Sequence, residues 1–270
     1  MPYQGWHDFF IFVAGFLLVV VIAINPTSAQ QRSDVAEPDP AAADFYNVPD
    51  GDKGELAAFV KKLIETRTSP DGSLSQAEHL KKSAEAMVLA SERILTGKYT
   101  DEQAKIAVMS KILGLKLLDQ LGDATASKQI TQFIDAMKRH RRHAIRDAAE
   151  QFGIQLRFMG WRGFSEAEKR AFANDLIAYI KRSKMNRELF EFVHTSGQAI
   201  EFSGDNRLAS EIYSEIIPKL SKSNDPQMVP LGERYKGVVR RLNLLGGPIE
   251  VYGTLLDGSA LDWDAYRGKV

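Results

Sequence analysis

The sequence predicts an all-α protein built of antiparallel helical hairpins, followed by a short β-hairpin near its carboxyl terminus. Three observations support this fold class. From about Asp52 to Asn243 apolar residues recur with helical spacing, which predicts about eight helices. Short breaks at Gly, Asn, Asp or Ser separate these segments, as expected for connections between neighbouring helices. After Asn243 the helical period stops, and apolar residues alternate with more polar ones.

The composition is that of a globular protein with a hydrophobic core, since 44% of the 270 residues are hydrophobic and 26% are charged. Lys plus Arg and Asp plus Glu number 35 each, so the chain as a whole has no net field that would attract nucleic acid or anionic lipid. Such a partner would need a local patch. Cysteine is absent, which excludes disulfides, thiolate nucleophiles and Cys-ligated metal within this chain.

The amino-terminal residues predict an exported protein. Every residue from Phe9 to Ile24 is apolar or Gly, and Asn25-Pro26 and then small residues as far as Ala29 follow. This order is typical of a secretory signal that is cleaved after Ala29. The apolar run is also near the minimum for crossing a hydrocarbon core of roughly 30 Å, so an uncleaved anchor is the alternative. Residues 1–29 are therefore interpreted as a signal peptide or membrane anchor, which predicts a periplasmic or otherwise extracytoplasmic protein.

A flexible linker is predicted for residues 30–50, because this segment is polar, contains three prolines and shows neither a helical nor a strand period. The helical domain follows over residues 51–244. Side chains that cap helices and glycines that end them locate several of its boundaries. The predicted amino-terminal caps are Thr100 with Gln103, Asp123, Ser165 with Glu168, and Asn186. The predicted helix ends are Gly97, Gly122 and Gly160.

One pair of helices has the pattern of an αα-hairpin. Two helical segments of similar length meet at Ser203-Gly204-Asp205. The first has small residues on one face, and the second carries Ala209, Tyr213 and Pro218. In this spacing the pair resembles a tetratricopeptide repeat. The resemblance implies helices stacked on their neighbours, and a concave surface that holds a protein partner.

The segment after residue 244 predicts a hairpin and a short helical turn. Ile249 and Val251 alternate with more polar neighbours, and Leu256-Asp257-Gly258-Ser259 has the Asp-Gly pair of a tight turn. Asp262 is expected to cap a short helical turn from Trp263 to Tyr266.

The spacing of specific residues in this segment also matches a known family. The matching residues are Gly253, Asp257, Gly258, Leu261, Trp263, Tyr266, Arg267, Gly268, Lys269 and Val270. In this pattern the segment resembles the opening of the TlpA/ResA-type thioredoxin-like thiol-disulfide oxidoreductases, the redoxin branch that acts outside the bacterial cytoplasm. The resemblance implies that residues 245–270 begin a thioredoxin-like domain, and it implies a role in cell redox homeostasis. The Cys-x-x-Cys motif of that family is absent from this chain, and an unrelated hairpin is the alternative.

No catalytic, cofactor-binding or metal-binding residue is predicted, and no cofactor is implied. The basic run from Lys138 to His143 is interpreted as a solvated connector between helices; a phosphate-binding patch is the alternative. His140 and His143 lie three residues apart and could share a helical face as metal ligands, but no third ligand follows at a suitable spacing. His79 and His194 stand alone in helices and are expected at the surface or partly satisfied in the core.

An aromatic cluster is predicted where one helix ends near Gly160 and the next begins. Packing at a helix corner is the preferred interpretation, and a groove for a peptide is the alternative. The cluster comprises Phe152, Phe158, Trp161 and Phe164.

Two hypotheses for the function follow. In the first, the chain is the exported helical amino-terminal region of a thioredoxin-like oxidoreductase, without the catalytic domain, and is inactive alone. In the second, it is a periplasmic tetratricopeptide-like scaffold that binds a protein through its helical surface. Neither hypothesis includes nucleic acid, and a membrane is implied only through the amino-terminal segment.

Overall fold

Helices account for the regular structure of the protein. The computed structural model describes residues 44–244 and 252–266, and within these ranges it contains nine α-helices, two short 3₁₀ helices and no β-strand. The all-α class is therefore confirmed for the described residues, although the periodicity predicts about eight helices. The difference arises after Asn186, where a loop around Asp225-Pro226 separates one more helix. None of the helices in these ranges is both long and apolar enough to cross a membrane.

The helices fall into two compact units, with the division between Ser165 and Glu166. Unit 1 contains α1 to α5, and unit 2 contains α6 to α9. The α-helices are α1 Lys53–Glu65, α2 Gln76–Ile94, α3 Asp101–Gln120, α4 Ala126–Lys138, α5 His143–Phe158, α6 Glu166–Arg182, α7 Arg187–Phe202, α8 Asn206–Ser221 and α9 Val229–Asn243. The 3₁₀ helices are Trp161–Gly163 and Asp264–Tyr266. The predicted signal segment, most of the predicted linker, and residues 245–251 and 267–270 of the predicted tail lie outside the described residues.

Side-chain caps begin several helices. At the start of α3, the Gln103 amide N–H donates to Thr100 Oγ1 at 3.1 Å and the Thr100 N–H donates to Gln103 Oε1 at 2.9 Å, which confirms the predicted capping box. Ser75 and Glu78 form a second capping box at the start of α2. This box is not among the predicted caps, although Ser-x-x-Glu is its ordinary signature. The predicted cap of α7 is also confirmed, because Asn186 Oδ1 accepts from the Leu189 N–H at 2.8 Å.

Glycines in the left-handed conformation follow the ends of α2, α3 and α7, as predicted. Their φ angles are +72° at Gly97, +95° at Gly122 and +88° at Gly204. The predicted cap of α4 is wrong, because Thr125 and not Asp123 occupies the N-cap position. Asp123 Oδ1 instead accepts from both the backbone N–H and the hydroxyl of Thr125 at 2.8 Å, which forms a local turn and delays the start of the helix.

Unit 1 is built around α3, which packs against α1, α2, α4 and α5. The antiparallel α2 and α3 approach closely where small residues face each other. A Cβ atom on Gly114 would lie 2.8 Å from the backbone oxygen of Ala84 and 3.0 Å from Val88 Cγ2. The buried hydroxyls of Ser91 and Ser110 lie 2.7 Å apart across the same pair of helices. The two helices are thus joined by backbone-level packing and by a buried polar contact.

The segment that precedes α1 lies against α1 and α2. Phe45 is buried in the core of unit 1. The hydroxyl of Tyr46 lies 2.7 Å from Nδ1 of His79, near the start of α2. Near the end of α2, Arg93 Nη1 donates to the carbonyl oxygens of Val48 and Pro49, each at 3.2 Å. These contacts attach the final residues of the predicted linker to the helical body.

In unit 2, α8 lies at the centre and packs against α6, α7 and α9. The parallel direction of α6 and α8 follows from two contacts. Near the starts of the two helices, Arg170 forms an ion pair with Glu211. Near their ends, Lys219 Nζ donates to the carbonyl oxygen of Lys181 at 3.0 Å. Within unit 2, α6 and α8 therefore run parallel on either side of the intervening α7 in the sequence.

Glycines bring α8 close to both of its sequence neighbours. α7 and α8 meet at the predicted turn around Gly204, and a Cβ atom on Gly197 would lie 2.7 Å from the hydroxyl oxygen of Tyr213. On the other side, a Cβ atom on Gly232 of α9 would lie 2.5 Å from Ser221 Oγ. Side chains larger than hydrogen at these positions would push the helices apart.

The carboxyl-terminal part of the described chain forms a tight turn. The Leu255 N–H donates to the Ser259 carbonyl at 2.8 Å, and the Leu261 N–H donates to the Gly253 carbonyl at 2.9 Å. Gly258 takes the left-handed conformation expected in such a turn, with φ +85°. A single antiparallel bridge is formed, so the predicted β-hairpin is not shown within residues 252–266. Ile249 and Val251, which the prediction places in the first strand, lie outside the described residues.

The close approach of α2 and α3 gives a testable prediction. Gly114→Ala should lower the free energy of unfolding of unit 1 by about 1–3 kcal/mol, because the new methyl group would overlap backbone atoms of α2. Intrinsic helix propensity alone would favour alanine by about 1 kcal/mol. Hydrogen-exchange protection across α2 and α3 measures the effect.

Gly237→Ala is the matched control, because Gly237 lies inside α9 and nothing stands within 4 Å of a Cβ atom added there. This substitution should leave the stability of unit 2 unchanged or raise it by about 0.5–1 kcal/mol. An equal gain in stability from Gly114→Ala would contradict the proposed packing constraint.

Candidate functional site

An aromatic cluster in unit 2 joins three helices. Tyr213 of α8 and Tyr235 of α9 pack with their ring centroids 5.0 Å apart. His194 of α7 stacks on Phe190 of the same helix at 6.0 Å, and Tyr235 meets Phe190 edge-on at 5.9 Å. The rings fill the space beside Gly197 where α7, α8 and α9 converge. The cluster therefore fixes the position of α7 relative to the other two helices.

A histidine–tyrosine hydrogen bond lies inside this cluster. The hydroxyl of Tyr235 is 2.6 Å from Nδ1 of His194. Burial raises the pKa of the Tyr235 phenol to about 12, and burial also raises the pKa of Tyr213. Both phenols are thus protonated at neutral pH, and the Tyr235 hydroxyl has a proton to donate to the imidazole. His194 is half-buried, which agrees with its predicted place as a partly satisfied core residue.

The outward face of α7 presents a stripe of exposed side chains. Thr195, Gln198 and Phe202 are three and four residues apart, so they share one helical face. Phe202 is 88% exposed, which is unusual for a large apolar side chain in a helix of this length. We call these three residues the α7 stripe. The helical spacing of the three residues is visible in the sequence, but only the structure shows that this face is exposed.

His79 in unit 1 is fully buried, deeper than predicted. Its Nε2 lies 3.0 Å from the carbonyl oxygen of Thr66, which can only accept a hydrogen bond. Nε2 therefore carries the proton, and Nδ1 accepts from the hydroxyl of Tyr46. Both ring nitrogens are used to hold the segment before α1 and the end of α1 against α2.

The basic run predicted as a connector does link two helices, α4 and α5. Arg146 Nη1 donates to the carbonyl oxygens of His140 and Arg141, both at 2.8 Å. Arg142 donates to the carbonyl oxygen of Tyr99 at 2.7 Å and forms an ion pair with Asp101 at the start of α3. Two of the arginines in this region are therefore used to fix the backbone of the turn.

The possible metal pair in this turn is not assembled as a site. Nδ1 of His140 accepts from the Arg142 backbone N–H at 3.1 Å, whereas His143 is exposed at the start of α5. Within residues 44–244 and 252–266, no group of three or more His, Cys, Asp or Glu side chains is placed to hold a metal ion.

The aromatic residues near Gly160 form a packed corner. Trp161 is buried, and its ring centroid lies 6.3 Å from that of Phe158 and 6.0 Å from that of Phe164. Phe152 is also buried and belongs to the core of unit 1. Burial of Phe152 and Trp161 supports the interpretation of core packing over that of a peptide groove.

No protein-family model, curated protein or solved structure matches the chain. The evidence for function therefore comes from the geometry. His79 and His194 are bonded to side chains and backbone that hold the fold together. Exposed side chains that are not used in this way lie in the α7 stripe and in the turn between α4 and α5. The prediction that the chain holds no catalytic, cofactor-binding or metal-binding residue stays a prediction.

The hydrogen bond between Tyr235 and His194 gives a second testable prediction. Tyr235→Phe keeps the ring contacts but removes the hydroxyl, which should lower the free energy of unfolding of unit 2 by about 1 kcal/mol. Denaturant unfolding with hydrogen exchange over α7 to α9 measures this loss. Tyr266→Phe is the control, because Tyr266 is 48% exposed in the tail. Equal stability of the two variants would show that the hydrogen bond does not stabilise the unit.

Proposed function

We propose that this protein is an extracytoplasmic helical scaffold that binds a protein partner, with the α7 stripe as part of the binding surface. The observation that carries the proposal is the packing of α7 on α8. Gly197 of α7 lies against Tyr213 of α8. Ala209, four residues before Tyr213, is fully buried. A glycine on the first helix and an Ala-x-x-x-aromatic pattern on the second are features of tetratricopeptide hairpins.

The arrangement of neighbouring helices supports the same proposal. α6 packs parallel to α8, and α9 packs antiparallel to α8, where Ser210 Oγ donates to Asn243 Oδ1 at 2.7 Å. Helical repeats stack in this way because each hairpin must cover the apolar face of the next. Their usual function is to present an extended surface to other proteins.

The α7 stripe has the chemistry of a protein-binding surface. Phe202 supplies a large exposed apolar ring, and Thr195 and Gln198 supply polar groups beside it. Aromatic side chains at the centre of an interface often contribute most of the binding energy, and polar groups around them exclude water. The aromatic cluster behind α7 holds the helix in place, so little conformational entropy is lost when a partner binds.

A photo-crosslinking experiment tests this proposal. A photoreactive amino acid at Gln198 should capture a discrete partner in cells that express the full chain, whereas the same probe at Ser214, exposed on α8, should not. Adding Phe202→Ala to the Gln198 probe should abolish the crosslink, since truncation of an aromatic anchor costs about 2 kcal/mol or more of binding energy.

Folding provides the control for this experiment. Phe202 is 88% exposed, so its truncation should change the stability of unit 2 by less than about 0.5 kcal/mol. Equal capture at Gln198 and Ser214, or capture that survives Phe202→Ala in a folded protein, would refute the α7 stripe as the binding surface.

A second candidate function is that of a thioredoxin-like oxidoreductase, in which residues 245–270 begin the redox domain. Two local features support it. Asp257 Oδ1 accepts from the Ser259 N–H at 2.9 Å within the Asp-Gly turn. Asp262 Oδ1 accepts from the Ala265 N–H at 3.3 Å, at the start of the Asp264–Tyr266 turn. Both turns contain residues that match the family pattern, namely Asp257 in the first and Tyr266 in the second.

Cysteine chemistry tests the second candidate. The 270-residue chain should not reduce insulin disulfides, because it contains no cysteine to supply the attacking thiolate. The candidate also expects that codons after Val270 encode a hydrophobic strand and a Cys-x-x-Cys motif. A chain extended through that motif should then reduce insulin. A following sequence without paired cysteines would eliminate the oxidoreductase and leave the scaffold.

A further inference from the structure

The turn between α4 and α5 concentrates positive charge on the surface of unit 1. Five of the nine residues from 138 to 146 are Lys or Arg, and none is acidic. The nearest carboxylates along the chain are Asp135 and Asp147, just outside this stretch. A chain with zero net charge thus carries a local basic patch. We call residues 138–146 the basic turn.

The five cations have two different structural roles. Arg142 and Arg146 are half-buried and are bonded to backbone oxygens, with Arg142 also paired to Asp101. Lys138, Arg139 and Arg141 are exposed and form no ion pair within the described part of the chain. The internal pair fixes the backbone of the turn, and the three exposed cations are carried on that fixed backbone.

We propose that the basic turn docks on a membrane surface that contains anionic phospholipids. An extended peptide binds by adding to a sheet edge or by entering a groove, and the described residues contain no β-strand. An anionic bilayer requires only exposed cations. Each Lys or Arg near an anionic bilayer strengthens binding roughly fivefold. Three exposed cations therefore strengthen it on the order of 100-fold at low salt.

The amino-terminal apolar run bears on how strong the contact with lipid must be. The apolar run that ends at Ile24 is about twenty residues from Asp44, the first described residue. Twenty residues span at most about 70 Å, even when fully extended. If the apolar run enters a bilayer, unit 1 stays close to the lipid, and a modest affinity is then sufficient for docking. The charges of the basic turn would attract anionic lipid without this anchor.

Fluorescence quenching tests the proposal on the full chain. Because the protein has no cysteine, Ala136→Cys introduces a single labelling site on the exposed surface of α4, beside the turn. The labelled protein is mixed with vesicles that carry a headgroup quencher, made of phosphatidylcholine alone or with added phosphatidylglycerol. Quenching should appear only with phosphatidylglycerol and should disappear as salt is added, since salt screens exposed charges.

Charge variants identify the groups responsible. K138Q/R139Q/R141Q should reduce docking on phosphatidylglycerol vesicles on the order of 100-fold. K222Q/R234Q/R240Q removes three exposed cations from unit 2 and should leave the quenching unchanged. R139K/R141K keeps the charge and should retain docking, which separates an effect of charge from one of folding. Circular dichroism confirms that each variant is folded.

Several outcomes would overturn the proposal. Equal quenching with and without phosphatidylglycerol would show that the apolar segment alone brings the chain to the vesicle. Quenching that survives K138Q/R139Q/R141Q would locate the lipid contact elsewhere. If soluble poly-glutamate binds the basic turn at a salt concentration where phosphatidylglycerol vesicles do not, the ligand is an acidic polypeptide and not a membrane.

Discussion

Glycine at a helix contact sets the spacing on which both units of this protein depend. At Gly114 the backbone of α2 occupies the place of a side chain, and at Gly197 the ring of Tyr213 does so. The contacts at these two glycines have different consequences. Backbone-to-backbone approach in unit 1 brings the hydroxyls of Ser91 and Ser110 into contact, so the helix pair has a buried polar link. In unit 2 the glycine admits an aromatic ring, which then touches a third helix through Tyr235.

The parts of the fold that were predictable are those encoded over short distances. Thr100 was identified as a cap because the hydrogen bonds of a capping box join residues only three apart. Asp123 was assigned wrongly, because an aspartate can bond the backbone two residues ahead without beginning a helix. The depth of His79 was not predictable, since its partner Tyr46 is 33 residues away in sequence. The Asp-Gly turn at Gly258 is a further short-range feature, since its hydrogen bonds join residues only three and four positions apart.

Prediction of the surface was limited for a related reason. Within the basic run, the sequence did not distinguish the cations that hold the turn from those that face solvent. Arg142 is half-buried because it pairs with Asp101 at the start of α3, whereas Arg139 is exposed. The exposure of Phe202 could not be predicted from the sequence either, because an aromatic residue at a helical spacing usually faces the core. Functional surfaces of helical proteins are thus defined by which faces the neighbouring helices leave uncovered.

The attachment of residues 44–50 to unit 1 has a mechanical consequence. A force applied at Asp44 would first load the buried ring of Phe45 and the contact between Tyr46 and His79. Only later would it load the bonds from Arg93 to the backbone near Val48. These contacts follow one another along the chain, so they would break one after another and not all together. α1 would be loaded last, because its buried side chains must be pulled out of the core together. Residues 44–50 would therefore detach and lengthen under tension before the helical core begins to unfold.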